Sequence, residues 1–313
     1  MNFLVSGVAG DIGLGVCRIL RKHFPECVIH GIDVHSDHPA SFVTDVFNIA
    51  PLAGDAIYIS WVKEYIEKNK INIFIPTSEA EISAINQNSH SDSFSCKVLI
   101  NNSEVTEICL DKARCMDFLR QGSIPCPDNG VVGLSIPDKL PVVVKPRKGQ
   151  GSKNITIIEK LCDLAAYNSD YVWQEFLDRH KEEYTCAVFV SKVHSCQRIL
   201  IMKRVLRGGV TDKGEVVRDP QIEQYVREIS EFLDFDGCIN IQLRMTSNGP
   251  LLFEINPRLS STLVFRDIMG FSDLLWWISL VQGNEIDEYT APRDGLRFYR
   301  GVNEYVDLGD YYG

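Results

Sequence analysis

Apolar residues open the chain at 2–8, give way to a Gly-rich turn over 7–15, and recur at helical spacing through 14–23 before a second apolar run at 27–32. The period switches from that of a strand to that of a helix and back, so the opening predicts a β-α-β unit. A helix over 61–68, a strand over 71–75 ending at Pro76, a helix from Glu79 and a strand over 97–100 continue the alternation. Strands alternating with helices in this way predict a doubly wound parallel sheet with helices on both faces.

Near residue 110 the pattern changes. A helical segment over 111–121 precedes a stretch punctuated by Pro125, Pro127, Gly130, Gly133 and Pro137, and then an apolar strand over 141–145. Strand-rich segments follow at 154–159, 184–191 and 198–206, then a helix at 222–233 and two strands flanking Asn248-Gly249. This part reads as α+β with mostly antiparallel strands, and a domain boundary is expected just before Asp111. No internal repeat, low-complexity tract or long linker interrupts the chain, so its units are expected to pack tightly.

A length of 313 residues suits two or three compact units. With 45% hydrophobic and 24% charged residues the composition is that of a globular protein. The net charge of -10 speaks against general attraction to nucleic acid or to an anionic membrane, so an anionic ligand needs a local cluster of Lys and Arg. No run approaches the length of a membrane span and the opening residues run straight into a strand, so a cytoplasmic location is expected. The ten cysteines show no Cys-x-x-Cys pair and no His at metal spacing; free thiols in a reducing compartment are expected.

The most informative segment is Leu251-Leu252-Phe253-Glu254-Ile255-Asn256-Pro257-Arg258. A strand's period of two places Glu254 and Asn256 on one face. The preceding strand likewise puts Asn240 and Gln242 on a common polar face. A two-residue turn at Asn248-Gly249 would point Gln242 and Glu254 apart, whereas a three-residue loop, Ser247-Asn248-Gly249 with Gly249 left-handed, sets them opposite each other. The three-residue loop is the expectation. One carboxylate and two amide oxygens on one face suit a hard cation such as Mg²⁺ that also takes phosphate oxygens and water.

A second segment, Lys145-Pro146-Arg147-Lys148-Gly149-Gln150-Gly151-Ser152, places a strand-borne lysine before a cationic loop. Its glycines let backbone N–H groups approach phosphate closely, although Gly-Lys-Ser/Thr of a Walker loop is absent. A third, Val172-Trp173-Gln174-Glu175-Phe176-Leu177 followed by Glu183-Tyr184, offers an apolar slot for a ring and a carboxylate for a diol. Taken singly, each of the three segments also reads as a plain surface hairpin, an exposed turn or a half-buried strand.

The order of Lys145, the Gly-containing loop, Gln174-Glu175-Phe176-Leu177, Glu183-Tyr184, Asn240-Ile241-Gln242 and Glu254-Ile255-Asn256-Pro257-Arg258 resembles the ATP-grasp superfamily, above all the synthetase halves of carbamoyl-phosphate synthetase and related carboxylate-amine ligases. The resemblance implies a Rossmann-like pre-grasp domain at 1–108, a small lobe at 109–172 and a large lobe at 173–313. It also implies ATP with Mg²⁺ or Mn²⁺ as cofactors. Lys112, Lys145, Lys148, Gly149, Gly151 and Ser152 would meet phosphate, Glu175 and Leu177 adenine, and Glu183 ribose. Gln242, Glu254 and Asn256 would bind metal, and Arg258 with Lys145 would act on the transferring phosphoryl. The implied activity is an ADP-forming ligase that makes an acyl phosphate and couples it to an amine or ammonia, with small-molecule carboxylate and amine substrates; a homodimer is compatible with it. No glutaminase, second synthetase half or allosteric region accompanies the motifs, and Ser260-Ser261-Thr262 lacks a further arginine, so a substrate other than that of carbamoyl-phosphate synthesis is expected. Arg266, Arg297, Arg300 and Trp276-Trp277 are candidates for the substrate end, with surface charge and helix core as the plainer readings.

Two other classes compete. Gly7-Val8-Ala9-Gly10-Asp11-Ile12-Gly13 follows a strand, opens a helix and is followed by Asp33 at the end of the next strand, the spacing of a dinucleotide fingerprint. That admits an NAD(P)-dependent dehydrogenase or epimerase, although the Tyr-x-x-x-Lys pair of the short-chain type is missing. The third class is a non-catalytic ATP-binding module, against which the retained metal ligands and Arg258 argue.

Overall fold

A computed structural model describes residues 1–88, 93–149, 154–178 and 182–302. The expected alternation forms a five-stranded sheet of order β3-β2-β1-β4-β5, all parallel. Its strands are β1 (Asn2–Ser6), β2 (Val28–Asp33), β3 (Val46–Ile49), β4 (Ile73–Ile75) and β5 (Lys97–Val98). Alternation along β1 sends Phe3 and Val5 to a core shared with α1 (Asp11–His23), and Leu4 to a second core with α2 (Tyr58–Lys68) and α3 (Glu79–Asn88). Edge strand β3 was not expected from its sequence, because half of its residues are exposed and the run is only four long.

The chain then enters α4 (Ser103–Leu110) and α5 (Lys112–Gln121), each started by a side chain that accepts from the first turn: Asn102 from the Val105 amide, and Asp111 from those of Ala113 and Arg114. A four-stranded antiparallel sheet follows, of order β6-β9-β7-β8, from β6 (Asn129–Val131), β7 (Val142–Pro146), β8 (Thr156–Ile158) and β9 (Tyr171–Glu175). The divisions expected at 108/109 and 172/173 fall inside α4 and β9. Helix α4 packs as a unit into the core beneath the larger sheet, and β9 pairs along its whole length with β7.

The larger sheet has order β14-β13-β10-β11-β12-β15 and is antiparallel throughout. Its strands are β10 (Glu183–Ser191), β11 (Cys196–Arg207), β12 (Val210–Val216), β13 (Gly237–Thr246), β14 (Gly249–Asn256) and β15 (Arg297–Tyr299). One face is apolar and buried under α6 (Pro220–Leu233), with Cys186, Ile241, Leu252 and Ile255 meeting Ile222, Val226 and Ile229. On the other face Phe189, Leu200 and Met202 join α7 (Leu263–Ile268), α8 (Asp273–Gln282) and the α1 side of the parallel sheet in one continuous core. That shared core docks the N-terminal sheet against the large lobe. Where Gly15 faces α7, an added Cβ would come within 2.9 Å of Leu263, so the close approach of the two helices requires the glycine. Helix α8 is apolar on nearly every side, which hides any amphipathic period.

The ten cysteines are free. Among the described residues no helix is long and apolar enough to cross a membrane.

Candidate active site

The β13–β14 hairpin pairs Gln242 with Glu254 and Asn240 with Asn256, so the oxygen-bearing side chains share a face as expected. The cause differs from the expected three-residue loop. Thr246 pairs with Gly249, leaving a two-residue turn at Ser247-Asn248, and a bulge at Phe253 then shifts the register by one. Without the bulge, Gln242 would oppose Phe253 and Glu254 would turn into the core. The bulge also frees the Phe253 carbonyl, which accepts from Lys145 Nζ at 2.8 Å.

Lys145 sits on β7 with a second acceptor, Gln174 Oε1 on neighbouring β9, at 2.8 Å. It is 6% exposed. Burial disfavours the ammonium and pulls its pKa down to about 8, while Glu254 nearby opposes that shift. Lys112, at the start of α5, stands 3.7 Å from Glu254 and donates to the Gly149 carbonyl at 2.8 Å. It thereby ties the loop after β7 to the carboxylate of the large lobe.

Lys145, Glu175, Leu177, Glu183, Gln242, Glu254, Asn256 and Arg258 line one cleft of about 650 Å³ between the two antiparallel sheets. Lys148 and Gly149 are exposed beside it and do not form its wall, and Gly151 and Ser152 lie outside the described residues. Of the further candidates, Arg266 is buried against Asp273, Ser260 and Thr262, and both tryptophans belong to the core. Arg297 is exposed on β15. Arg266 and the tryptophans thus serve packing, and Arg297 pairs with Glu215 at the surface. Arg300 alone reaches the cleft's edge, holding the carbonyls of Thr211 and Ser261 at 2.8 and 2.7 Å.

Several residues of the site were not anticipated. Glu183 does not stand free: Arg204 donates to one of its oxygens at 2.8 and 3.0 Å, and Arg244 to the other at 2.5 Å. Arg204 also donates to Gln242 Oε1 at 2.9 Å. Arg244 follows Gln242 by two positions, so strand periodicity alone could have found it; Arg204 arrives from β11 and had no local signal. Glu79 comes from the N-terminal sheet domain, where it opens α3, and accepts from Arg258 at 2.8 Å. Arg258 donates as well to Asn256 Oδ1 at 2.7 Å. Glu79 is buried, which raises its carboxyl pKa against the opposing pull of the Arg258 charge.

Each of the two amide oxygens thus already accepts one arginine hydrogen bond and keeps a second lone pair. The Asn256 amide nitrogen is buried without a hydrogen-bond partner among the described residues. Among the described residues no cluster of three His, Cys, Asp or Glu side chains could hold a metal, so a cation here has Glu254 as its one carboxylate and amide oxygens beside it. That donor set suits a hard ion completing its shell with water and phosphate.

The Gly-rich turn is closed on itself. The Asp33 carboxylate accepts from the Ala9 amide at 2.8 Å and from the His35 amide at 3.2 Å, and Asp11 places a carboxylate in the first turn of α1. A dinucleotide would need the first group for its ribose and the second position for its pyrophosphate. Both are taken.

A doubly wound sheet domain followed by two antiparallel lobes around a cleft of Lys, Arg, Glu and amide oxygens defines a class of nucleotide-cleft proteins, and residues 109–262 match the family model of the ATP-grasp domain. Residues 109–262 thus form a domain of the ATP-grasp superfamily. The carbamoyl phosphate synthase large chain of Clostridium acetobutylicum is 21% identical over 315 residues, covering 88% of this chain and 29% of that protein. This chain therefore spans less than a third of that relative's length. Among solved structures, N5-carboxyaminoimidazole ribonucleotide synthetase from Thermus thermophilus aligns with TM-score 0.71 at 14% identity, over 94% of this chain and 81% of that one. The biotin carboxylase domain of 2-oxoglutarate carboxylase from Hydrogenobacter thermophilus, solved as a dimer with MgADP, ADP and bicarbonate, aligns with TM-score 0.71 at 14% identity, over 95% of this chain and 73% of that one. At these identities the structural likeness is one of fold.

Proposed function

We propose that this chain binds ATP with Mg²⁺ between its two antiparallel sheets and activates a carboxylate as an acyl phosphate, which an amine or ammonia then converts to an amide. The observation that carries this reading is the convergence, in one cleft, of Lys145 from the small lobe with Gln242, Glu254, Asn256 and Arg258 from the large one. Lys145 and Lys112 supply the positive charge that polyphosphate needs in an acidic protein, and Glu254 with the two amide oxygens would hold the metal. The metal, when bound, neutralises charge on the phosphoryl oxygens. Arg258, fixed by Glu79 and Asn256, presents a rigid guanidinium to the transferring group. We assign Glu175 and Leu177, which line the same cleft, to the adenine end. Glu183 is locked by Arg204 and Arg244, so we assign it to shaping the ribose end rather than to standing there as a free acceptor.

The test is release of ADP from ATP and Mg²⁺ by the purified chain across a matrix of carboxylates and amines, with mass spectrometry of the products. Carboxylate-dependent ADP release accompanied by an amide or phosphorylated product is expected. ADP release with neither product in any combination would refute the ligase chemistry.

A further inference from the structure

A second concavity lies away from the cleft, against the outer side of α1. This groove, of about 640 Å³, is lined by Arg18, Arg21 and Lys22 of the helix and by Phe42, Val43 and Asp45 of the segment before β3. Arg21 pairs with Asp45 at 2.7 Å, and Lys22 with Asp267 of α7 at 2.7 Å. Arg18 is exposed, and its guanidinium has no hydrogen-bond or ion-pair partner among the described residues. The groove therefore carries surplus positive charge beside the ring of Phe42, which is 48% exposed. Such a surface suits an acidic segment that also bears apolar side chains. The chain itself supplies one and delivers it to the near end of the groove. Arg300 donates to the carbonyls of Thr211 and Ser261 at 2.8 and 2.7 Å, and its guanidinium stands 3.8 Å from the Asp11 carboxylate. The chain is thereby held beside the first turn of α1 two residues before Val302. Arg18 lies about 10 Å, and Lys22 about 16 Å, further along the helix axis from Asp11. From Val302 the chain can span up to about 17 Å to Asp307 and about 27 Å to Asp310. Residues 303–313 lie outside the described residues; in sequence they carry Glu304, Asp307 and Asp310 among apolar and tyrosine side chains, with no Lys or Arg.

We propose that residues 303–313 dock in this groove, with their carboxylates on Arg18 and Lys22 and their apolar side chains against Phe42 and Val43. The docked segment braces from outside the junction of α1 with α7, where Lys22 and His23 already hold Asp267. Ion pairs between exposed groups are screened by salt, so docking weakens as ionic strength rises.

Zero-length carbodiimide cross-linking of the full chain, read by peptide mass spectrometry, tests the proposal on wild type and on Arg18→Lys, which supplies an amine at the unpaired position and keeps its charge. Amide links to Glu304, Asp307 or Asp310 are expected from Lys22, and in Arg18→Lys also from position 18. Their yield should fall about fivefold or more in Arg18→Glu, and likewise in about 0.5 M salt. The link from Lys22 to Asp267, across the 2.7 Å contact, should persist in every protein and shows that the reagent has reacted. An equimolar mixture of isotopically labelled and unlabelled protein separates docking on the same chain from docking on a second copy. Melting curves check that Arg18→Glu is folded; where it is not, the salt series on Arg18→Lys carries the comparison. The link to Asp267 with none to residues 303–313, links to those residues that neither salt nor Arg18→Glu diminishes, or links formed only between labelled and unlabelled chains would overturn the proposal.

Discussion

The depressed pKa of Lys145 makes nucleotide binding by this chain depend on pH in a way that an exposed lysine would not. In the free protein burial holds the ammonium near pKa 8, although it keeps two acceptors, Gln174 and the Phe253 carbonyl. A polyphosphate beside it favours the charged form, so binding above pH 8 must be accompanied by proton uptake. With a pKa of about 8, roughly one molecule in ten carries the charge at pH 9, and the apparent affinity should fall about tenfold between pH 7 and pH 9. A lysine at its ordinary value near 10.5 would show almost no change over that interval. The same displacement acts on stability with a definite sign. Because the folded-state value lies below the unfolded one, the charged form costs about 3 kcal/mol below pH 8, and that cost is relieved as pH rises toward 10.5. The assay is titration with Mg²⁺ and AMP-PNP from pH 7 to 10, on wild type and on Lys145→Arg, whose guanidinium does not titrate there. Wild type should lose affinity above pH 8 and the arginine variant should not. A wild-type affinity that stays flat to pH 9.5, or an identical decline in both proteins, would refute the assignment of Lys145 to phosphate.

Glu254→Ala removes the one carboxylate of the proposed metal set and should reduce ADP formation at least about 100-fold, with Mg²⁺ dependence displaced to higher concentration, read by coupled assay across a metal titration. Arg258→Lys replaces a guanidinium shared by Glu79, Asn256 and the Leu259 carbonyl with a point charge; kcat should fall about tenfold or more with little change in nucleotide affinity. Glu183→Gln leaves Arg204 and Arg244, both largely buried, without their common carboxylate, and denaturant unfolding should show a loss of about 3 kcal/mol. Gly13→Ala places a Cβ 2.4 Å from the Gly7 carbonyl oxygen and 2.7 Å from Val8 Cα, so thermal unfolding should report about 1–3 kcal/mol of destabilisation.

Local pattern in the chain was enough to anticipate the parallel sheet domain, the antiparallel strands that follow it and the shared face of Glu254 and Asn256 on β14. Each rests on a period of two or 3.6 that neighbouring residues carry among themselves. The order of Lys145, Glu175, Glu183, Gln242, Glu254, Asn256 and Arg258 likewise sufficed to name the superfamily. What tertiary structure alone decided are contacts between residues far apart in the chain. The turn at Ser247-Asn248 and the bulge at Phe253 reach the expected register by another route, because the partner strand and the core beneath it select which side chains are buried. Glu79 meets Arg258 across 179 positions and Lys145 meets the Phe253 carbonyl across 108, pairings that no local period encodes. Asp33 looked like a ribose acceptor and instead closes its own turn, since a carboxylate's use depends on which donor the fold brings to it.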